Sequence, residues 1–333
     1  MPETGVVLTT DVDAAAAALA SGALVVLPTE TVYGLGADAT NPTAVGRVYA
    51  VKGRPATHPV IVHVASADAL TDWARDVPGY AYQLVEACWP GPLTVVLPRG
   101  PAVGGHVTGG ADTVALRAPA HPMTRAVLVA FGTGVAAPSA NRFGRVSPTT
   151  AQHALDELSG LLDPERDLAL DGGPCRIGVE STIVDATGPR PRLLRPGAVP
   201  AASVAAITGL DVDLGPGGPR APGTLPAHYA PAARVLAVEP QAAADTVGDQ
   251  LAAGHAVGLI APADLVDTPP GATRLVVPED DAAYAHQLYG ALRHADQLGL
   301  DVVVAVLPPD SGLGSAVRDR LRRAAFGTRP TAS

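Results

Sequence analysis

Residues 209–231 are crowded with glycine and proline and carry little apolar periodicity, so they divide the chain into two segments that each need a core. At 333 residues and 47% hydrophobic content there is enough chain for both. Ahead of the divide, strand candidates lie at 23–27, 60–64, 93–97, 114–117 and 182–185. Helical stretches fall near 41–52, 67–76, 81–88, 123–130 and 150–158. Beyond it, strands are expected at 235–238, 256–260, 274–277 and 302–307, with helices near 242–253, 281–298 and 315–325. This alternation is that of α/β domains. The second set reads as a smaller, parallel sheet of Rossmann-like type. The division is then a first domain over 1–208, a linker over 209–232 and a second domain over 233–333.

Charge and composition exclude several classes of function. A net charge of −9 argues against a broad polyanion-binding face, because Lys and Arg contacts to phosphate dominate nucleic-acid affinity. No apolar run approaches the ~18 residues of a membrane span, and residues 1–10 lack a basic region followed by an apolar one, so a cytoplasmic protein is expected. Cys88 and Cys175 lie far apart and in no metal-ligand spacing. Gly312-Leu313-Gly314 follows a strand, but the third glycine of a dinucleotide fingerprint is missing. There is no Walker loop, Ser-His-Asp signature or metal-ligand cluster.

What remains is a set of anion-binding candidates. The chain has one lysine, Lys52, in Lys52-Gly53-Arg54-Pro55-Ala56-Thr57-His58-Pro59, two cations apart by one glycine at a helix end. An anion is the natural third party, with Arg the planar fork and Lys the compact charge. The bland alternative is two solvated cations favouring the negative end of a helix dipole. There are two asparagines. Asn41-Pro42 fits a helix cap. Asn141 lies in Ala137-Pro138-Ser139-Ala140-Asn141, followed by Val146-Ser147-Pro148-Thr149, where small residues and hydroxyls could approach a nucleotide or simply cap a helix. Gly178-Val179-Glu180-Ser181 precedes an apolar strand, with Arg195-Pro196-Gly197 soon after. His63 and Arg117 are lone polar groups at strand ends, where a histidine is more often a satisfied core residue than a ligand.

Taken in order, Pro28-Thr29-Glu30-Thr31-Val32-Tyr33-Gly34-Leu35-Gly36, Lys52-Gly53-Arg54-Pro55, Trp89-Pro90-Gly91-Pro92-Leu93-Thr94, Ala137-Pro138-Ser139-Ala140-Asn141 and Glu180-Ser181-Thr182-Ile183-Val184-Asp185 closely resemble the YrdC-like threonylcarbamoyl-AMP synthases. His228-Tyr229-Ala230-Pro231 and Gly312-Leu313-Gly314 with Arg320-Leu321-Arg322-Arg323 extend the resemblance to the family's long form. It implies a twisted-sheet YrdC-like domain around a cavity for ATP and threonine, followed by a Rossmann-like domain. By motif, Thr31, His63, Arg117, Ser181 and the backbone of Ala137 would contact threonine. Arg54, His58, Thr113, Ser139, Ser147 and Arg195 would contact ATP, and Tyr229 would close on the nucleotide. Lys52 and Arg54 would be catalytic, with Lys52 holding the triphosphate or the carbamate. His58 stands where the family usually has Asn, and Leu225-Pro226-Ala227 replaces a Lys-Tyr-Arg run of some members.

The implied reaction joins L-threonine, bicarbonate or CO2 and ATP, accompanied by Mg2+, into threonylcarbamoyl-AMP and pyrophosphate. The product would pass to a complex that modifies adenosine beside the anticodon of tRNA. Two other readings compete. A carbamoyltransferase built on a YrdC-like domain would be longer and carry more cysteines. An RNA-binding module would need more stacking platforms than 4% aromatic content offers.

Overall fold

A computed structural model describes residues 5–225, 227–264 and 267–328; Pro226 of the run 225–227 lies outside them. The chain forms two compact units. The first comprises Met1–Phe143, Pro148–Arg176 and Glu180–Thr224, and the second Gly144–Ser147, Ile177–Val179 and Leu225–Ser333.

Among the described residues of the first unit, ten strands make one mixed sheet: β1 (Val7–Thr9), β2 (Val25–Leu27), β3 (Gly34–Asp38), β4 (Ile61–His63), β5 (Leu93–Pro98), β6 (Thr113–Arg117), β7 (Val135–Ala136), β8 (Leu168–Leu170), β9 (Thr182–Asp185) and β10 (Arg192–Arg195). Their order is β1-β8-β2-β3-β7-β4-β6-β5-β9-β10. Because side chains alternate along a strand, each face has its own set of residues. Val62, Val95, Leu116 and Val184 join the larger core with residues of the helices Pro42–Lys52, Gly79–Cys88 and Ala151–Leu158. On the opposite face a second cluster joins Val25, Leu27, Val135 and Leu170 to the helices Val12–Ala20 and Pro122–Phe131. Farther along that same face Ile61, Val96, Ala115 and Ile183 form a small apolar floor covered by Ala221.

Ala221 belongs to the stretch expected to be a linker, and the structure lays that stretch against the first unit. Leu193 N donates to Asp213 O, Arg192 Nη2 meets the Asp213 carboxylate at 2.8 Å, and Arg195 Nη1 donates to Pro222 O at 3.0 Å. The Gly/Pro segment thus lies along the first unit as far as Thr224, and the boundary between compact units falls between Thr224 and Leu225 rather than at 208. Glycine and proline here set a path of turns and do not mark looseness. The helix expected over 67–76 is also shorter. It is a turn at Ala67–Ala69 and a helix at Leu70–Trp73, because Ala74 becomes extended and bridges Arg99.

In the second unit β11 (Arg234–Val238), β12 (Val257–Ile260), β13 (Thr273–Val276) and β14 (Val302–Val306) are all parallel, ordered β11-β14-β12-β13. The helix Gly312–Gly327 begins at the incomplete glycine motif. Its first turn is occupied by the protein itself: the Asp281 carboxylate accepts from Gly314 N, and a Cβ at residue 314 would lie 2.8 Å from Asp281 Oδ2. Burial raises the Asp281 carboxyl above its ordinary range, partly offset by that amide.

Candidate active site

Strand alternation puts five of the sequence candidates on one face. His63 on β4 is level with Arg117 on β6, and with Val135 on β7. Thr113, four residues back along β6, shares the Arg117 side. On the next strands Thr94 is level with Ile183, which puts Ser181 on the same side. A bulge between Leu193 and Arg195 brings Arg195 opposite Ile183 and so onto this face as well. Gly197 lets the chain after Arg195 lie against the start of β9: a Cβ there would stand 2.3 Å from Thr182 N and 2.6 Å from Ser181 C.

At the heart of this face Arg117 is clamped on three sides. Its Nη2 donates to Glu30 Oε1 at 2.7 Å, its Nη1 to Thr31 Oγ1 at 2.9 Å and its Nε to Gly91 O at 3.2 Å. The second Glu30 oxygen accepts from Ala120 N at 3.0 Å. Burial pushes the Glu30 carboxyl up, but the Arg117 charge and these hydrogen bonds together bring it below its usual value. Five N–H donors less three leave one hydrogen on each terminal nitrogen of Arg117, a match for a carboxylate. His63 is buried, and burial with the nearby Arg117 pushes it down to about 3, so its ring is neutral at physiological pH. Its Nδ1 has no hydrogen-bond partner among the described residues. Ser181 Oγ accepts from Arg195 Nη2 at 3.1 Å and shares a proton with Thr94 Oγ1 at 2.7 Å.

The Lys52 motif and the Ala137–Asn141 loop, 85 or more residues apart in sequence, meet here. The helix Pro42–Lys52 is capped by Asn41 at one end and by Gly53, at φ 61°, at the other, the left-handed turn glycine suits. Lys52 then points inward: it is 1% exposed, and its Nζ donates to the carbonyls of Ser139 and Asn141, each at 2.5 Å. Arg54, 8% exposed, donates from Nη2 to Pro59 O at 2.7 Å and lies over the Phe143 ring. Neither cation is a solvated helix-end charge. Burial first, and Arg54 second, hold the Lys52 amine well below its ordinary value. His58 sits 5.5 Å from the Phe143 ring and is lowered by burial, Arg54 and Arg220. Lys52 has three protons, and two serve the loop, so its first task in this structure is to hold Ser139 in place.

Two candidates carry finer information. The Ala137 amide already donates to Ile61 O at 3.0 Å, which leaves its carbonyl as the backbone group open to a ligand. Ser147 and Tyr229 belong to the second unit. There Tyr229 is 1% exposed, with Tyr289 at 5.7 Å, His228 at 4.1 Å and the Arg320 guanidinium 5.4 Å from its centroid. Sequence reasoning did not assign Thr29, Glu30 or Thr94. For Glu30 a signal existed: a carboxylate just after a buried apolar strand needs a cation, and only the pairing of distant strands says which.

Fold and site together define a two-domain α/β protein whose first domain gathers buried cations and hydroxyls on one sheet face. Residues 17–197 match the family described as Telomere recombination, and residues 199–326 match the Threonylcarbamoyl-AMP synthase, C-terminal domain. The chain belongs to the threonylcarbamoyl-AMP synthase family, in its long, two-domain form. It is 40% identical to the threonylcarbamoyl-AMP synthase of Pyrococcus abyssi over 93% of this chain and 92% of that one. The Bacillus subtilis enzyme is 39% identical over 94% and 92%. Among solved structures, Pyrococcus abyssi Sua5 complexed with L-threonine covers 97% of this chain and 98% of its own, with TM-score 0.88 and 36% identity. No helix among the described residues is long and apolar enough to cross a membrane.

Proposed function

We infer that this chain makes threonylcarbamoyl-AMP and pyrophosphate from L-threonine, bicarbonate or CO2, and ATP. The observation that carries the reading is a similarity to threonylcarbamoyl-AMP synthases that runs through both domains at about 40% identity. The neutral amine of threonine adds to CO2 and releases a proton, giving a carbamate. A carbamate oxygen attacks the α-phosphorus, the bond from that phosphorus to the bridging oxygen breaks, and pyrophosphate leaves with the electron pair.

Carboxylate, carbamate and triphosphate repel one another, and bringing them together is the main task of such a site. Arg117 offers its two remaining hydrogens to the amino-acid carboxylate, beside Thr31, neutral His63, Ser181 and the Ala137 carbonyl. Arg54 and Arg195, with His58, Thr113 and Ser139, would line the nucleotide, while Lys52 holds the Ser139 loop and keeps one proton for a phosphate or carbamate oxygen. Ser147 and Tyr229 are the remaining nucleotide contacts that the motifs imply. Mg2+ would come with ATP. Phosphate and water oxygens can supply most of the ligands of such an ion, which keeps much of its hydration shell. The product would go to a tRNA-modifying threonylcarbamoyl transferase complex in the cytoplasm, with no stable nucleic-acid binding by the acidic synthase itself.

Pyrophosphate release with each substrate left out in turn tests this. Release should need ATP, L-threonine and bicarbonate together. Equal release without threonine, or turnover of carbamoyl phosphate, would overturn it.

A further inference from the structure

We propose that Thr29 is a positioning residue that sets the polarity of the amino-acid seat: it fixes the hydroxyl proton of Thr31 so that Thr31 meets the substrate as an acceptor only. The proposal rests on the reading of this face as a threonine seat, and it adds a residue and a direction to it.

The argument follows the protons. Thr29 Oγ1 lies 2.6 Å from the carbonyl oxygen of Val32. A carbonyl can only accept, so the one proton of Thr29 is committed there. The oxygen of Thr29 is held in place as well: in a tight local turn Thr31 N and Val32 N, at 3.1 Å each, share its two lone pairs with the proton that must lie between it and Thr31 Oγ1. Thr29 Oγ1 and Thr31 Oγ1 are 2.9 Å apart. With the Thr29 proton committed elsewhere, the proton between the two oxygens belongs to Thr31. Thr31 Oγ1 is left with two lone pairs, and one of them receives Arg117 Nη1 at 2.9 Å. Arg117 cannot swing away to change this, because Glu30 and the Gly91 carbonyl hold its other nitrogens. One lone pair is what Thr31 has left to offer.

An amino acid brings a carboxylate that only accepts, and an amine that donates; threonine and serine add a hydroxyl that can also donate. A carboxylate placed on Thr31 would face a lone pair and be repelled, so it is directed to the free hydrogens of Arg117. Thr31 takes an N–H or O–H of the substrate. Ser181 has no such lock, since its partner Thr94 can be donor or acceptor. The seat therefore has one hydroxyl of fixed sense and one that adapts.

Calorimetric titration of L-threonine and L-valine into the full chain, with and without ATP, compares the parent protein with Thr29→Val and Thr29→Ser. Val keeps the shape and removes the hydroxyl, so L-threonine should bind about tenfold more weakly, while Ser, which keeps the hydroxyl, should restore affinity to within about threefold. ATP affinity should change by less than about twofold, which a merely collapsed loop would not allow. L-Valine, the threonine isostere without a hydroxyl, tells which donor Thr31 takes. Equal weakening of both amino acids points to the amine, and loss of the threonine preference alone points to the hydroxyl. Unchanged L-threonine affinity in a folded Thr29→Val overturns the proposal. If the parent chain itself binds no L-threonine, the functional reading fails first. Neutron diffraction of deuterium-exchanged crystals needs no variant: deuterium on Thr31 Oγ1 aimed at Thr29 Oγ1 supports the proposal, and deuterium aimed into the cavity sinks it.

Discussion

Single side chains in this site are held by burial against their own charge, and that fixes their response to acid. His63 stays neutral in the folded chain down to about 3, whereas an unfolded chain would protonate it near its ordinary 6.5. Between those values the unfolded state binds the extra proton, so stability falls as pH drops, by up to about 1.4 kcal/mol per unit from this residue. Glu30 adds a second loss at lower pH: its depressed carboxyl contributes stability above its ordinary 4.5, and that contribution disappears as pH falls toward the folded-state value. Denaturant titrations from pH 7 to 4 should show this slope, and His63→Gln should flatten it above pH 5 while Glu30→Gln should not. Lys52 answers to a different experiment. Lys52→Met keeps the stem but strips the carbonyls of Ser139 and Asn141 of their donor, at about 1–3 kcal/mol per stranded group. We expect a lower melting temperature together with lost pyrophosphate release. An unchanged melting temperature with lost activity would mean that the loop does not depend on the ammonium.

Among the elements, the Gly/Pro segment and the cluster around Tyr229 differ most from what their sequences suggest. A chain ending at Ile207 would uncover the apolar floor of Ile61, Val96, Ala115 and Ile183, take Asp213 from Arg192 and take the Pro222 carbonyl from Arg195. One ending at Thr224 would keep both. Thermal melting of the two truncations should therefore favour the longer one by several degrees, as expected for ~1–2 kcal/mol in a domain of this size. Equal melting would return the segment to the status of a tether. Tyr229→Ala should cost about 3–5 kcal/mol, the usual loss for a buried aromatic, before any effect on nucleotide binding can be read. Tyr229→Phe keeps the ring contacts with Tyr289 and Arg320, so a change in ATP affinity in that variant alone would assign the hydroxyl to the nucleotide.

Over the whole molecule, the sequence made local matters legible and left pairings hidden. The two α/β units, the parallel second sheet and the helix cap at Asn41-Pro42 are written in periodicity and cap residues, which act over a few positions. The strands Val7–Thr9, Gly34–Asp38 and Leu168–Leu170 and the helix Val12–Ala20 were not, because strands of three to five residues and an alanine run carry no strong period. The same limit governs the site. Motif by motif, Lys52 looked like a phosphate ligand. Only the register of distant segments shows it serving a loop beyond 85 residues away, and shows Glu30 and Thr29 bracing Arg117 and Thr31. Lys52 also gives the protein an unusual chemical surface. It is the one lysine of 333 residues, and its amine is sealed by its surroundings, which also hold it well below its ordinary value. The folded molecule should then shield Lys52 from an acylating reagent. Peptide mapping by mass spectrometry after treatment with an active ester should find Lys52 unmodified on native protein and acylated once the chain opens. That adduct would serve as a built-in clock for the opening of this site, and its prompt appearance on the native protein would show that Lys52 is not sealed at all.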